Sequence, residues 1–338
     1  MPCYHPIQAT YSPLLNKVFF GINYEKKILE ICKRDSLSFV SFVDAIESVQ
    51  FMQLPCGRCI GCRLEHSRKW ALRCVHEASL YDKNCFITLT YDDEHLPKDS
   101  SLVKRDLQLF FKRLRKRYPG HLIRYFAAGE YGDNTARPHY HAILFNFCPE
   151  DFKPGKDMLK LDPLKFDNDW SQLCSKLSVD CSRLFSSVSS VGSSARHSRL
   201  LSDCWGNGSV MVGEVSFESC AYVARYCLKK ITGEAAEEHY HGRQPEFVVM
   251  SRRPGIGAEW LKKNFVSILE TDTVATRSGI LCKPPRYYDN MLEVIDADKF
   301  LINKEKRLEF VKDKVPESDE RLAVMEECLR LRTKNKRI

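Results

Sequence analysis

Residues 137–145 read Arg137-Pro138-His139-Tyr140-His141-Ala142-Ile143-Leu144-Phe145. An apolar run of this length predicts a strand, over His139–Phe147. Successive strand side chains point to opposite faces, so His139 and His141 present two imidazoles in parallel while Tyr140 points away. Outward from this stretch, the turn-rich Tyr131-Gly132-Asp133-Asn134 connects it to an earlier apolar run, Leu122–Ala128, read as a second strand. Phe86-Ile87-Thr88-Leu89-Thr90-Tyr91 is β-branched and aromatic with the turn formers Asp92 and Asp93 behind it, which predicts another. Between them, Lys104–Tyr118 carries Leu107, Phe110, Phe111 and Leu114 on one stripe and meets Pro119-Gly120, so it reads as a helix with a stop. Strand, helix, strand, turn, strand is the pattern of an α+β fold, a central antiparallel sheet flanked by helices.

The flanks are organised differently. The stretch Phe39, Val40, Phe42, Val43 is apolar enough to predict a strand, and Arg63–Tyr81, free of Pro and Gly, predicts a helix carrying Arg63, Arg68, Lys69 and Arg73. Serine is dense over 178–202, the mark of a surface insertion. A helix is expected from Phe217 through Tyr222 and Tyr226 to Ile231, ended by Gly233. The tail from Lys299 is strongly charged and helical in composition, broken near Pro316 and basic over Arg330–Arg337. Three segments are therefore expected: a Cys-rich N-terminal segment and basic helix over 1–80 packed on the core, the core itself over 81–260, and a charged, mostly helical extension over 261–338.

Composition excludes several classes. Of 338 residues, 43% are hydrophobic and 28% charged, and no apolar run approaches the roughly 20 residues of a membrane helix, so a globular protein without a membrane partner is expected. The start, Met1-Pro2-Cys3-Tyr4-His5, lacks a basic-then-apolar secretory signal, which places the chain in a cytoplasm. Fifteen cysteines, mostly scattered singly, fit reduced thiols with one metal cluster better than a disulfide framework. The net charge of +8 favours a polyanionic partner. Seven Lys or Arg and one Asp occupy Lys104–Tyr118; Lys104, Arg105, Lys112, Arg113, Arg115 and Lys116 form either a solvated face or one suited to a phosphate backbone.

The chemistry-bearing residues begin with the His pair. Imidazole binds divalent metals but needs further ligands, and Glu130 stands at the end of the preceding strand, across a tight connection. Two His and one carboxylate leave coordination positions for a phosphate and water. His239-Tyr240-His241 repeats the tripeptide among Glu237, Glu238, Gly242 and Arg243, without an apolar run, and is read as a loop and not a metal site. Tyr222 and Tyr226 are four apart, on one helix face, with Lys229 next in the row. A tyrosine hydroxyl, pKa near ~10, is a poor nucleophile unless a metal polarises its target and a cation stands nearby. Cys56-Gly57-Arg58-Cys59-Ile60-Gly61-Cys62 has the spacing of a zinc or iron-sulfur site with one ligand missing; Cys3 is the candidate fourth, with Cys74 or His66 behind it. A loop of reduced cysteines is the alternative.

The ordered set Phe86–Tyr91, Gly129-Glu130-Tyr131-Gly132 before residues 137–145, and Tyr222-Val-Ala-Arg-Tyr226-Cys-Leu-Lys229-Lys230 resembles the HUH endonucleases, and looks most like the replication initiators of the gokushovirus branch of microviruses. These motifs span 86–230; Pro55–Arg63 and Met1–Ile7 also look like that group. The resemblance implies the HUH fold, a catalytic Mg2+ or Mn2+ on Glu130, His139 and His141, Tyr222 and Tyr226 as two nucleophiles, and Lys229 or Lys230 as the motif's basic residue. It implies rolling-circle initiation: nicking of origin DNA that is single-stranded at the cut, a 5′-phosphotyrosine link, later rejoining, and DNA contacts from the basic helix. It also implies a bacterial host cytoplasm. No Gly-rich phosphate loop is present, so a host helicase and a DNA polymerase are expected partners. Relaxases, with a His triad, and the shorter transposases fit less well. The reading from another class is a non-enzymatic, zinc-containing nucleic-acid-binding protein in which the His pair and tyrosines only pack.

Overall fold

The computed structural model describes residues 3–21, 23–132, 135–152, 196–225, 235–276, 279, 281–312 and 317–334. They fall into two compact units, Met1–Glu65 with Pro316–Arg330, and His66–Val315 with Leu331–Ile338.

In the first unit, β1 (Ile7–Ser12) lies between β2 (Lys17–Phe20) and β3 (Gln50–Leu54), both antiparallel to it. Helices α1 (Tyr24–Arg34) and α2 (Phe39–Glu47) cover this small sheet. The strand expected at Phe39–Val43 is helical instead. Ser38 caps it by accepting a hydrogen bond from the Ser41 amide, and Phe42, Ala45 and Ile46, at helical spacing, pack with Phe19, Ile28 and Cys32. α3 (Ile60–Ala78), close to the helix expected at Arg63–Tyr81, starts in this unit.

The second unit is built on a six-stranded sheet. Its strands are β4 (Asn84–Tyr91), β5 (Arg124–Tyr131), β6 (Pro138–Phe145), β7 (Arg196–His197), β8 (Gly208–Gly213) and β9 (Phe247–Met250), in the order β7-β8-β4-β6-β5-β9. Every pairing is antiparallel, so the α+β expectation holds. Alternation then assigns the faces. Cys85, Ile87, Leu89, Tyr140, Ala142 and Leu144 pack beneath α4 (Lys104–Arg117) and α5 (Arg199–Trp205) through Leu107, Phe110, Phe111, Leu114, Leu201 and Trp205. Phe86, Phe126, Ala128, Ile143 and Phe145 pack on the other face against α3, through Ala71, Cys74 and Ala78, and against α6 (Phe217–Arg225), through Phe217, Cys220, Val223 and Ala224.

Close approach explains one glycine. A Cβ on Gly129, beside Tyr140, would meet the Phe247 ring at 3.0 Å. A buried ion pair ties α3 to β5: Arg124 donates to Glu77, which also accepts from the Gly257 amide at 2.7 Å, while Arg124 reaches the Pro254 carbonyl at 2.9 Å. Beyond β9, helices Ala258–Thr271, Arg286–Ile295 and Ala297–Lys312 share a third core cluster with Leu72 of α3. The charged chain end is helical over Asp319–Lys334, and the expected break near Pro316 lies outside the described residues.

His239-Tyr240-His241 is a loop only in part: His239 and Tyr240 end a helix and His241 lies in the turn after it. Ala235–Tyr240 forms a short helix because Tyr240 is buried in the core and donates to Glu246, leaving His239 and His241 exposed. The Ser-rich stretch is described only from residue 196, where Ser198 caps α5. No helix among the described residues is long and apolar enough to cross a membrane.

Candidate metal centre and nucleophile

Register brings the site together. In the β5–β6 ladder Glu130 stands opposite His139, and in the β4–β6 ladder Thr88 stands opposite His141. β5 runs to Tyr131, three residues beyond the expected strand end, so Glu130 is an in-strand residue with a defined direction. Its carboxylate Oε1 lies 2.8 Å from His139 Nε2 and 2.9 Å from His141 Nε2. The carboxylate and His141 are almost wholly buried, and His139 is more open. Burial alone would raise the Glu130 pKa, but the hydrogen bonds and charges of His139 and His141 hold it well below the ordinary carboxylate range.

The far side of each imidazole is also engaged. His139 Nδ1 lies 3.2 Å from the Arg137 carbonyl, which can only accept, so this nitrogen carries the proton. His141 Nδ1 lies 2.9 Å from the Thr88 hydroxyl. Both imidazoles turn Nε2 toward the same Glu130 carboxylate oxygen, at 2.8 and 2.9 Å. The one-carboxylate, two-imidazole set therefore fits a divalent ion, with its three donor atoms within 4.8 Å of one another and the outer hydrogen bonds orienting the ligands.

α6 brings the tyrosine to this group. Ser216 and Ser219 start the helix with a reciprocal cap, Ser219 N to Ser216 Oγ at 3.2 Å and Ser216 N to Ser219 Oγ at 2.8 Å. Its buried face then seats the helix against β5 and β6 and sets the Tyr222 hydroxyl 3.5 Å from His141 Nε2. The Tyr222 ring meets His141 edge-on at 5.0 Å, Phe86 stacks on His141 at 5.6 Å, and the Arg225 guanidinium lies 5.4 Å over the Tyr222 ring. Tyr226, Lys229 and Lys230 lie outside the described residues.

The basic helix is not brought to this site. α4 packs on the sheet face opposite His139 and His141. Lys104, Arg105, Lys112 and Lys116 are exposed there, whereas Arg113 donates to the Cys204 and Trp205 carbonyls at 3.0 and 2.6 Å, and Arg115 to the Ile123 carbonyl at 3.2 Å. Sequence reasoning missed Thr88, Phe86 and Arg225. The alternation of Phe86–Tyr91 puts Thr88 on one face, but only strand pairing shows that this is the histidine face.

In the first unit Cys3, Cys56, Cys59 and Cys62 converge, their sulfurs within 4.8 Å of one another. The other proposed fourth ligands are elsewhere: Cys74 is in the core under the sheet, and His66 Nε2 accepts from Trp70 Nε1 at 3.1 Å. Every described cysteine is a free thiol.

Residues 84–231 match the family model described as replication-associated protein ORF2/G2P. The chain is 30% identical over 309 residues to the replication-associated protein VP4 of Bdellovibrio phage phiMH2K, covering 89% of this chain and 80% of that one. It is 32% identical over 269 residues to the replication-associated protein ORF2 of Spiroplasma virus 4, covering 75% and 72%, and 28% identical over 249 residues to ORF4 of Chlamydia phage 1, covering 72% and 55%. No solved structure matches the chain. A strand pair carrying Glu130, His139 and His141 with Tyr222 beside it is thus found in a chain that belongs to the phage replication-associated protein family.

Proposed function

We propose that the chain is a rolling-circle replication initiator of the HUH type, nicking one strand of origin DNA by tyrosine attack. The observation that carries this reading is the Tyr222 hydroxyl 3.5 Å from His141 Nε2, at the edge of the Glu130, His139 and His141 group. Glu130, His139 and His141 would hold Mg2+ or Mn2+, which when bound would supply charge stabilisation at the scissile phosphate. Tyr222 gives up its phenolic proton to solvent and attacks phosphorus. The P–O3′ bond breaks, the leaving oxygen takes up a proton, and the 5′ phosphate stays on the tyrosine. Attack by a free 3′ hydroxyl on that link reverses the bond change and rejoins a strand. Tyr226 serves as the second nucleophile, and Lys229 or Lys230 as the cation beside the phosphate.

The residues around the group have definable tasks. Thr88 and the Arg137 carbonyl hold the imidazoles in orientation, and Phe86 and Val223 keep the underside of the site dry. Lys104, Arg105, Lys112 and Lys116 lie across the sheet, so in this reading they hold DNA flanking the cut and not the scissile nucleotide; Arg113 and Arg115 have a structural duty first. Strand separation and synthesis fall to a host helicase and polymerase in a bacterial cytoplasm.

The test is incubation of the full chain and Mn2+ with pooled single-stranded fragments of its encoding genome, followed by a denaturing gel. A covalent DNA adduct lost with EDTA and in the Tyr222→Phe, Tyr226→Phe double variant is expected. DNA binding without any adduct would replace this reading with that of a non-enzymatic binding protein.

A further inference from the structure

We infer that Cys3, Cys56, Cys59 and Cys62 hold one zinc ion as a closed tetrathiolate, and that this ion is a folding clamp for the N-terminal unit. The Sγ atoms of Cys3 and Cys59 are 3.9 Å apart and those of Cys56 and Cys62 4.0 Å apart. Zinc–sulfur bonds of ~2.3 Å place the corners of a regular tetrahedron about 3.8 Å apart, whereas a disulfide needs about 2.05 Å. Both pairs are therefore at coordination spacing, and all four sulfurs lie within 4.8 Å of one another.

The backbone is arranged for sulfur that carries charge. The Cys56 amide donates to Cys3 Sγ at 3.2 Å; those of Arg58 and Cys59 donate to Cys56 Sγ at 3.4 and 3.3 Å; those of Tyr4 and Cys62 donate to Cys59 Sγ at 3.4 Å each. A neutral thiol is a weak acceptor and gives little reason for five amides to converge on three sulfurs. A thiolate bound to metal gives one. Four soft sulfurs without a carboxylate or imidazole select zinc over the magnesium or manganese suited to the Glu130 group, and four protein ligands leave no position for a substrate.

Placement assigns the task. Cys3 precedes β1, Cys56 and Cys59 follow β3, and Cys62 is in the first turn of α3; Ile7 pairs with Leu54, so the ligands gather where the two strands end together. The unit is small, and among the described residues its core cluster is built on buried Phe19, Ile28, Cys32 and Ala45 while Phe20 and Phe51 are exposed, so a metal clamp would add to a modest core.

The test measures metal on the purified full chain, made in zinc-supplemented medium, by inductively coupled plasma mass spectrometry. One zinc per chain is expected. It should be retained in the His139→Ala, His141→Ala variant and lost in Cys56→Ser, Cys59→Ser. Because the cysteine variant can fail to fold, the wild-type chain is also exchanged with Co2+. An intense thiolate charge-transfer band and tetrahedral d–d bands are expected, shifted in Cys3→Ser and unshifted in Cys74→Ser. Removing the ion with a mercurial should expose 1–65 to protease. Substoichiometric zinc, an iron-tetrathiolate spectrum, or a cobalt spectrum insensitive to Cys3→Ser would overturn the assignment, and none of these outcomes bears on the nuclease reading.

Discussion

Thr88→Val removes one hydroxyl from the sheet and tests the metal reading without touching a ligand. Valine is nearly isosteric with threonine and suits β4 equally well. In the native chain the Thr88 hydroxyl stands 2.9 Å from His141 Nδ1, and the His141 side chain is 6% exposed, so water cannot replace the lost partner. A buried polar group left unsatisfied costs about 1–3 kcal/mol. Without the hydroxyl, His141 loses the partner on its Nδ1 side that holds its Nε2 toward Glu130. Expressed as affinity at ~1.4 kcal/mol per tenfold, the substitution raises the Mn2+ midpoint for adduct formation roughly 10–100-fold, the range found for outer partners of metal-bound histidines. The assay is a Mn2+ titration of adduct yield on single-stranded origin DNA, with circular dichroism to confirm folding. Full yield should return at saturating Mn2+, and Thr88→Ser should titrate like the native chain. A folded Thr88→Val variant with an unshifted midpoint, or a yield that added Mn2+ does not restore, would refute the role of Thr88 in orienting His141.

Other consequences are equally direct. Tyr222→Phe should abolish the adduct formed through Tyr222, and peptide mapping of whatever adduct survives should find it on Tyr226; an adduct still mapped to the 222 peptide would contradict the proposed chemistry. Glu77→Gln leaves Arg124 charged and buried, with side-chain exposures of 0% and 5% for the pair, and should cost about 3–5 kcal/mol, or roughly 6–20 °C in melting temperature by calorimetry. His76, stacked on Trp260 at 3.5 Å and held at 2.9 Å from the Tyr288 hydroxyl, is pushed down to about 3 by burial. Below about pH 6.5 the unfolded chain takes up a proton that the folded chain refuses. Its contribution is therefore fully present above that pH and declines as pH falls from about 6.5 to about 3, and denaturant unfolding of His76→Phe should show a flatter pH dependence over that window.

Local pattern was enough for much of this molecule. The alternation in 137–145 placed His139 and His141 on one strand face, the stripe Leu107, Phe110, Phe111, Leu114 specified α4, and the spacing of Cys56, Cys59 and Cys62 marked a candidate metal site, because strand and helix periods and short chelating loops are set by neighbouring residues. Phe39–Val43 shows the limit of such reasoning: five apolar or small residues suit either element, and the Ser38 cap together with packing on Phe19 and Ile28 chose the helix. Long-range partners were settled in the fold. Thr88 became a support for His141 through β4–β6 pairing across 53 residues, Cys3 completed the cysteine cluster through β1–β3 pairing, and Tyr222 reached the histidines through the seat of α6 on the sheet. The basic residues of α4 show the reverse case, since their charge was plain in the sequence but the face of the sheet they occupy was not. Which face a helix covers depends on how the whole apolar surface is buried, and one element's own residues do not specify that.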